Sequence, residues 1–165
     1  MSGAQLIGTV AGVGYLRPAS GTWGSLVALP LAWAVYTLGG PWLVVIIGAA
    51  VFAAGWWATI EMTRGSPDHD PSEIVVDEVV GQWVALLPVL FGAANNNASV
   101  LALWPGWVVA FLAFRAFDIW KPGPVGWADR RNDALGVMLD DVIAGIFAAI
   151  VVAIAAGIAH WGLMQ

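Results

Sequence analysis

Pro41-Trp42-Leu43-Val44-Val45-Ile46-Ile47-Gly48-Ala49-Ala50-Val51-Phe52-Ala53-Ala54-Gly55-Trp56-Trp57-Ala58-Thr59-Ile60 contains no charged side chain and opens on a proline. A helix needs ~20 mostly apolar residues to cross the hydrocarbon core of a bilayer. Proline suits a first helical position, where its missing N–H leaves no bond unmade. The stretch therefore reads as a membrane span. The whole chain agrees with it: 60% of the 165 residues are hydrophobic and 10% charged, whereas a soluble domain carries about a quarter charged residues. Four or five spans with short connections fit this length, so we expect an all-α, polytopic membrane bundle forming one domain over residues 1–165.

Working outward, Val142 to Gln165 is uncharged and rich in Ala, Ile and Val, and it follows Asp140-Asp141, which are placed to cap it. Asp70-Pro71-Ser72-Glu73 has the order of a helix start, with Asp as N-cap, Pro at N1 and Glu at N3, so the pattern predicts a helix to about Phe91. Another is predicted from about Ser99 to Lys121, where Pro122 and Pro124 stop it. Thr22 to Leu38 is short and contains Pro30, which predicts a kinked or partly re-entrant helix. Asn95-Asn96-Asn97 reads as a loop tip, and no repeat is evident. The start lacks a positive region and a cleavage pattern, so no signal peptide is expected.

On this map all eleven acids and six bases fall on one side of the membrane. The other side receives only Gly39-Gly40, the segment Gly92 to Ala98 and the tail around His160. The positive-inside rule assigns the charged side to the cytoplasm, with the N-terminus there and the C-terminus outside for five spans. Tryptophans are expected as interfacial belts, Trp42, Trp104, Trp107 and Trp161 at one boundary and Trp56, Trp57, Trp83 and Trp120 at the other.

Composition also excludes chemistry. Without cysteine there is no thiolate nucleophile, cysteine-bound metal or disulfide. A net charge of −5 with no Lys/Arg-rich run argues against nucleic acid as a partner. An excess of acids facing anionic lipid instead calls for a compensating divalent cation, and Mg²⁺ takes oxygen ligands of this kind. Glu73 and Asp77, four residues apart, would share a face of their helix with Glu78 beside them, although acids there also complement the helix dipole. Asp118 sits in a last helical turn, where the dipole disfavours an anion; a salt bridge to Arg115 is the plain explanation and a metal or phosphate site the sharper one. Asp140 and Asp141 in succession exceed what capping needs. Asp68, Asp129 and Asp133 stand in polar loops.

Among the bases, Arg64, Arg130 and Arg131 are what a cytoplasmic loop carries anyway, with Arg130 also a candidate headgroup contact. Lys121, fixed before Pro122, can give a point charge to a phosphate. Arg17 with Ser20-Gly21-Thr22 and Gly24-Ser25 can cradle a phosphate, Thr22 and Ser25 supplying hydroxyls, though an ordinary turn has the same composition. His69 is a proton-shuttle candidate or a bystander, and His160 lies on the remote side.

Four stretches, Gly12 to Ser25 (GVGYLRPASGTWGS), Asp70 to Gly81 (DPSEIVVDEVVG), Phe114 to Pro122 (FRAFDIWKP) and Gly136 to Gly145 (GVMLDDVIAG), together resemble the type A phosphatidylglycerophosphatases in order and spacing. The resemblance implies Mg²⁺-dependent hydrolysis of the terminal phosphomonoester of phosphatidylglycerophosphate at the bacterial inner membrane. It carries the acidic motifs onto Asp77, Glu78, Asp118, Asp140 and Asp141. Gly123 departs from a usual bulky aromatic, and Asn132-Asp133-Ala134 replaces a more glycine-rich segment. Carboxylates from three helices are thus expected to hold one or two Mg²⁺, with Glu73 as a further ligand. Arg115 and Lys121 would steady the phosphoryl oxygens, and either water or Asp118 would be the nucleophile. The rivals are a lipid phosphotransferase, whose spaced Asp-Gly and Ala-Arg run is not found, and a divalent-ion transporter, which needs acids at mid-span.

Overall fold

The structure, a computed structural model, describes residues 1–162, whose regular elements are all helices, with no strand among them. Its helices are α1 (Gly3–Gly8), α2 (Ser20–Thr63), α3 (Val76–Asn95), α4 (Trp104–Trp120), α5 (Pro124–Asp129) and α6 (Ala134–Gly162). α2, α3, α4 with its preceding 3₁₀ turn, and α6 are each long and apolar enough to cross a membrane.

α2 is a hairpin of two helices. Its helical backbone is interrupted at Gly39 (φ −162°, ψ 20°) and Gly40 (φ 71°, ψ −168°), and the positive φ of Gly40 is a conformation that L side chains rarely adopt. On either side of the break the chain runs in opposite directions along α3. In the first half, Gly24 lies against Val75 and Glu78 and Ala28 accepts a hydrogen bond from the Trp83 indole. In the second half, Trp42 packs edge-on against Phe91, Gly48 faces Trp83 and Gly55 faces Val76. Among the described residues the bundle therefore has five long helical segments, two of them from α2. Residues 20–38 stay helical through Pro30, rising roughly 28 Å, close to the hydrocarbon thickness. The expected re-entrant geometry is not formed.

α3 is the central helix: 67% of its apolar window is buried inside the protein, against 22% for α2, 17% for α4 and 22% for α6. It begins at Val76, five residues later than the start at Pro71 predicted from capping residues. Pro71 instead accepts a turn hydrogen bond from Ile74 N–H, and Val75 N–H donates to Gly8 of α1, so this segment is tied to the N-terminal helix. α6 in turn starts at Ala134, so Asp140 and Asp141 lie well inside it and are not its caps. That task falls to Asp133, whose carboxylate accepts from Gly136 N–H at 2.6 Å and from Arg131. The proline-rich connection after α4, in which Asp129 was expected to stand in a polar loop, forms α5, with Pro124 in its first turn and Val125 and Ala128 buried. Trp83 and Trp107 are core residues whose indoles donate to Ala28 and Val100 carbonyls, so they leave the expected belts to exposed Trp42, Trp56, Trp57, Trp104 and Trp120. The side chain of Trp161, and residues 163–165 at the end of the predicted last span, lie outside the described residues.

α3 and α6 meet through glycine. A Cβ on Gly81 would lie 2.6 Å from the Asp141 carbonyl oxygen and 2.5 Å from the Phe114 ring, and one on Gly145 would overlap the Gly81 carbonyl. Small residues of this kind let membrane helices approach backbone to backbone. Gly81→Ala should therefore destabilise the detergent-solubilised protein by ~1–3 kcal/mol in spite of alanine's better helix propensity. Gly48→Ala, whose Cβ meets only the Trp83 ring at 3.6 Å, should be neutral or stabilising by up to ~1 kcal/mol. Equal unfolding midpoints for the two variants would contradict this packing.

The Asp133 cap makes a second prediction. Its hydrogen bonds to Arg131, with help from Gly136 N–H, hold the carboxyl below its usual pKa. A depressed folded pKa contributes stability above the unfolded value of about 3.9 and loses it as pH falls through the folded value. Asp133→Ala should cost ~0.5–2 kcal/mol near neutral pH, and this difference should shrink as denaturation is followed to below about pH 3.5. A pH-independent difference would remove the carboxylate from the cap.

Candidate active site

The α3–α6 crossing determines which acids meet. Asp77 lies one turn before Gly81, and Asp141 one turn before Gly145, so both project from the same level of two touching helices. Glu78 joins them, and these three carboxylates can each offer an oxygen within 4.8 Å of the others. α4 runs antiparallel to α3, with Phe114 at Gly81 and Gly106 at Val89, which brings its last turn back to the same end. Asp118, Asp140 and Asp141 there form a second group of three with the same spacing, and Asp141 belongs to both.

The groups are held in place by their surroundings. Asp77, Asp140 and Asp141 are 7%, 5% and 3% exposed. Asp77 accepts from Glu78 N–H and Asp140 from Asp141 N–H, both at 3.0 Å. Arg115 donates to Asp118 at 2.5 Å and stands 4.0 Å from the nearer oxygen of Glu78. Lys121 donates to Asp140 at 2.9 Å and also pairs with Asp129 on α5. Lys121 terminates α4 in the left-handed region (φ 49°, ψ 53°), a conformation costing roughly 1–2 kcal/mol for an L residue. Burial opposes the Lys121 charge, but the hydrogen bonds to Asp129 and Asp140 outweigh it and hold the ammonium pKa above its ordinary value. Lys121 is therefore a fixed cation at any physiological pH.

Two cations do not balance five carboxylates, and burying an unpaired charge costs several kcal/mol. The second oxygens of Glu78 and Asp141 are buried with no hydrogen-bond partner. Hard oxygen donors with open lone pairs, and no nitrogen or sulfur among them, suit a hard divalent cation. The residues present fit such an ion.

The structure places the remaining candidates differently. Gly21 at the start of α2 borders this cluster, for a Cβ there would overlap a Glu78 oxygen and lie 3.3 Å from Arg115 Nη1. Thr22 is half-buried in the same turn. Ser25 is buried and its hydroxyl donates to Gly21 O at 2.9 Å. Arg17 is exposed and donates to Ser72, tying the loop before α3 to the N-terminal segment. Arg130 is exposed at the end of α5 and forms no ion pair among the described residues. Glu73 is not brought to the carboxylates. It precedes α3, so the face it was expected to share with Asp77 does not exist, and it lines a separate surface pocket with Gln5, Tyr15, Trp57 and Glu61. His69 lies with Asp68, Asp70 and Asp129 in a pocket at the rim, and His160 is exposed at the far end of α6.

Sequence reasoning treated Asp129 as a loop acid and missed its ion pair with Lys121, which depends on α5. It also passed over Gln82, fully buried with neither amide atom partnered. A Gln one turn beyond Glu78 in an apolar helix was the available signal.

Comparison with known proteins finds relatives over most of the chain. The profile of the family Phosphatidylglycerophosphatase A matches residues 6–156. A Haemophilus influenzae protein named Phosphatidylglycerophosphatase A is 36% identical over 149 residues, 90% of this chain and 85% of its own. The Escherichia coli protein of the same name is 34% identical over 138 residues, 78% of this chain and 69% of its own. A Bacteroides thetaiotaomicron protein named "Putative phosphatidylinositol-3-phosphatase" is 37% identical over 155 residues, 91% of each chain. No solved structure matches. With its acidic motifs gathered at one end of a five-segment bundle, this chain belongs to the phosphatidylglycerophosphatase A family.

Proposed function

We propose that this protein hydrolyses the terminal phosphomonoester of phosphatidylglycerophosphate, releasing phosphate and leaving phosphatidylglycerol, with Mg²⁺ as cofactor and the site at the cytoplasmic face of the bacterial inner membrane. The observation that carries the proposal is the sharing of Asp141 between two largely buried groups of three carboxylates, at the end of the bundle where the long apolar helices meet their polar connections. A lipid phosphomonoester presents its phosphate at that depth while its acyl chains stay in the bilayer.

Asp77, Glu78 and Asp141 would hold one cation, and Asp118, Asp140 and Asp141 a second. When bound, Mg²⁺ offsets the charge of the phosphate and lowers the pKa of a water. The chain's own residues do the rest. Arg115 is immobilised between Asp118 and Glu78, and its Nε–H is buried without a partner, so it retains a donor for a phosphoryl oxygen. Lys121 contributes a permanent positive charge on the other flank. The first turn of α2, with Gly21 beside Glu78 and Arg115, borders the site and adds backbone N–H groups suited to an anion. We assign the nucleophile to water, because Asp118 is held by Arg115 as a fixed ligand would be. Its oxygen bonds to phosphorus in line as the bond to the glycerol oxygen breaks, and the departing alkoxide takes up the proton that the water gives to the carboxylate cluster.

The orientation rests on the Lys and Arg residues, which lie at the end of the bundle that carries the carboxylates. The kinship with a protein named for phosphatidylinositol 3-phosphate makes that lipid the natural competitor in an assay. Phosphate release by purified protein should be fastest with phosphatidylglycerophosphate, should vanish with EDTA and return with Mg²⁺. Asp141→Asn, which alters both groups, should reduce it at least about a hundredfold. Release that is indifferent to divalent cations, or that survives Asp141→Asn, would defeat the proposal. Preference for phosphatidylinositol 3-phosphate would retain the chemistry and replace the substrate.

A further inference from the structure

Gln82 lies one turn beyond Glu78 on α3 and belongs to none of the roles above. It is 0% exposed, and both its amide oxygen and its amide nitrogen are buried without a hydrogen-bond partner. A primary amide in that state is costly to keep, and a leucine or methionine of similar volume would fill the same space without the penalty. Three further atoms close to the carboxylates share the condition: one oxygen of Glu78, one oxygen of Asp141 and Nε of Arg115. Buried polar atoms left unpaired call for an explanation, and Glu78 stands one helical turn from Gln82.

Gln82 and Glu78 are one helical turn apart on α3, so they lie on one face. Helical side chains lean toward the N-terminus and cover the turn before their own Cα. That directs the Gln82 amide toward Glu78 and the open end of the cluster. The Glu78 oxygen beside Arg115 is Oε1, at 4.0 Å; the unpartnered one is Oε2, and between Glu78 and Gln82 the α3 sequence Val79-Val80-Gly81 offers no side-chain donor, so the Gln82 amide is the one this turn supplies.

We propose that Gln82 is a positioning residue for Glu78, its amide N–H restraining Oε2, directly after a small rotation or through one water, so that the carboxylate is held toward Asp77 and Asp141. Arg115 then stands beside one oxygen of Glu78 and Gln82 restrains the other. The role rests on the cation reading of the preceding section, since it acts through a carboxylate of that group. Outer-shell partners of ligating carboxylates typically change metal affinity by about 10–100-fold when removed.

The test is Mn²⁺ binding to the purified protein, followed by electron paramagnetic resonance, together with thermal unfolding in detergent. Gln82→Met keeps the length and Gln82→Leu the volume, so one can stand in if the other fails to fold. Both should weaken Mn²⁺ binding about tenfold and alter the spectrum of the bound ion, with a Tm equal to or above that of the unaltered protein, because a buried unpaired amide has been removed. A purely structural glutamine would give the reverse, a lower Tm with Mn²⁺ affinity within twofold, and that result would overturn the assignment. If the unaltered protein binds no Mn²⁺, the cation reading and the role of Gln82 both fail. If it binds Mn²⁺ and the two variants bind it equally well, only the role of Gln82 does.

Discussion

The backbones of α3 and α6 touch at Gly81 and Gly145, and the rest of the site depends on that contact. Because neither residue has a side chain, the Gly81 carbonyl occupies the place where a Gly145 Cβ would be, and the Asp141 carbonyl lies where a Gly81 Cβ would point. One turn toward the charged end on each helix stand Asp77 and Asp141. A larger residue at either glycine would separate the helix axes and leave the carboxylates too far apart to share a ligand. The packing that organises the bundle and the geometry that organises the chemistry are therefore one feature. The break at Gly39-Gly40 serves the same end, for it turns residues 20–38 back along α3 and sets Gly21 against Glu78.

Electrostatics opposes this arrangement unless something compensates it. Five carboxylates converge with only Arg115 and Lys121 among them, and Asp77, Asp140 and Asp141 are buried, where an unpaired charge is expensive. Each cation is already committed on one side, Arg115 to Asp118 and Lys121 to Asp129 and Asp140. The oxygens left over, on Glu78 and Asp141, are those that both the cation reading and the Gln82 assignment use. A phosphate monoester cannot neutralise them, since it adds negative charge. Divalent cations can satisfy acids and phosphate together.

Much of this was legible in the sequence, because membrane spans obey simple rules. An uncharged stretch of sufficient length must be helical and must cross, which placed the second half of α2, the end of α4 at Lys121 and the segregation of charge. Asp77, Glu78, Asp118, Asp140 and Asp141 stood out because acids at membrane boundaries demand an explanation. The failures were local. Asp70-Pro71-Ser72-Glu73 has the residues of a helix start, but a tertiary hydrogen bond from Val75 to Gly8 holds that segment in a turn, and Glu73 goes with it. Asp140 and Asp141 resemble caps only if the helix begins where the charges end, whereas Asp133 captures the Gly136 N–H and starts α6 earlier. Trp83 and Trp107 were read as interfacial because composition cannot tell an anchoring indole from one that donates to a buried carbonyl. The Asp129 pair and the isolation of Gln82 depend on contacts between elements, which spacing alone does not encode.

The claim on which the account turns is that Asp141 is the carboxylate common to two cation sites. Anomalous diffraction from crystals grown in saturating Mn²⁺ reads this directly. The account predicts anomalous density within bonding distance of Asp141, flanked by Asp77 and Glu78 on one side and by Asp118 and Asp140 on the other. Density confined to the rim pocket around His69, or none near Asp141, would contradict it.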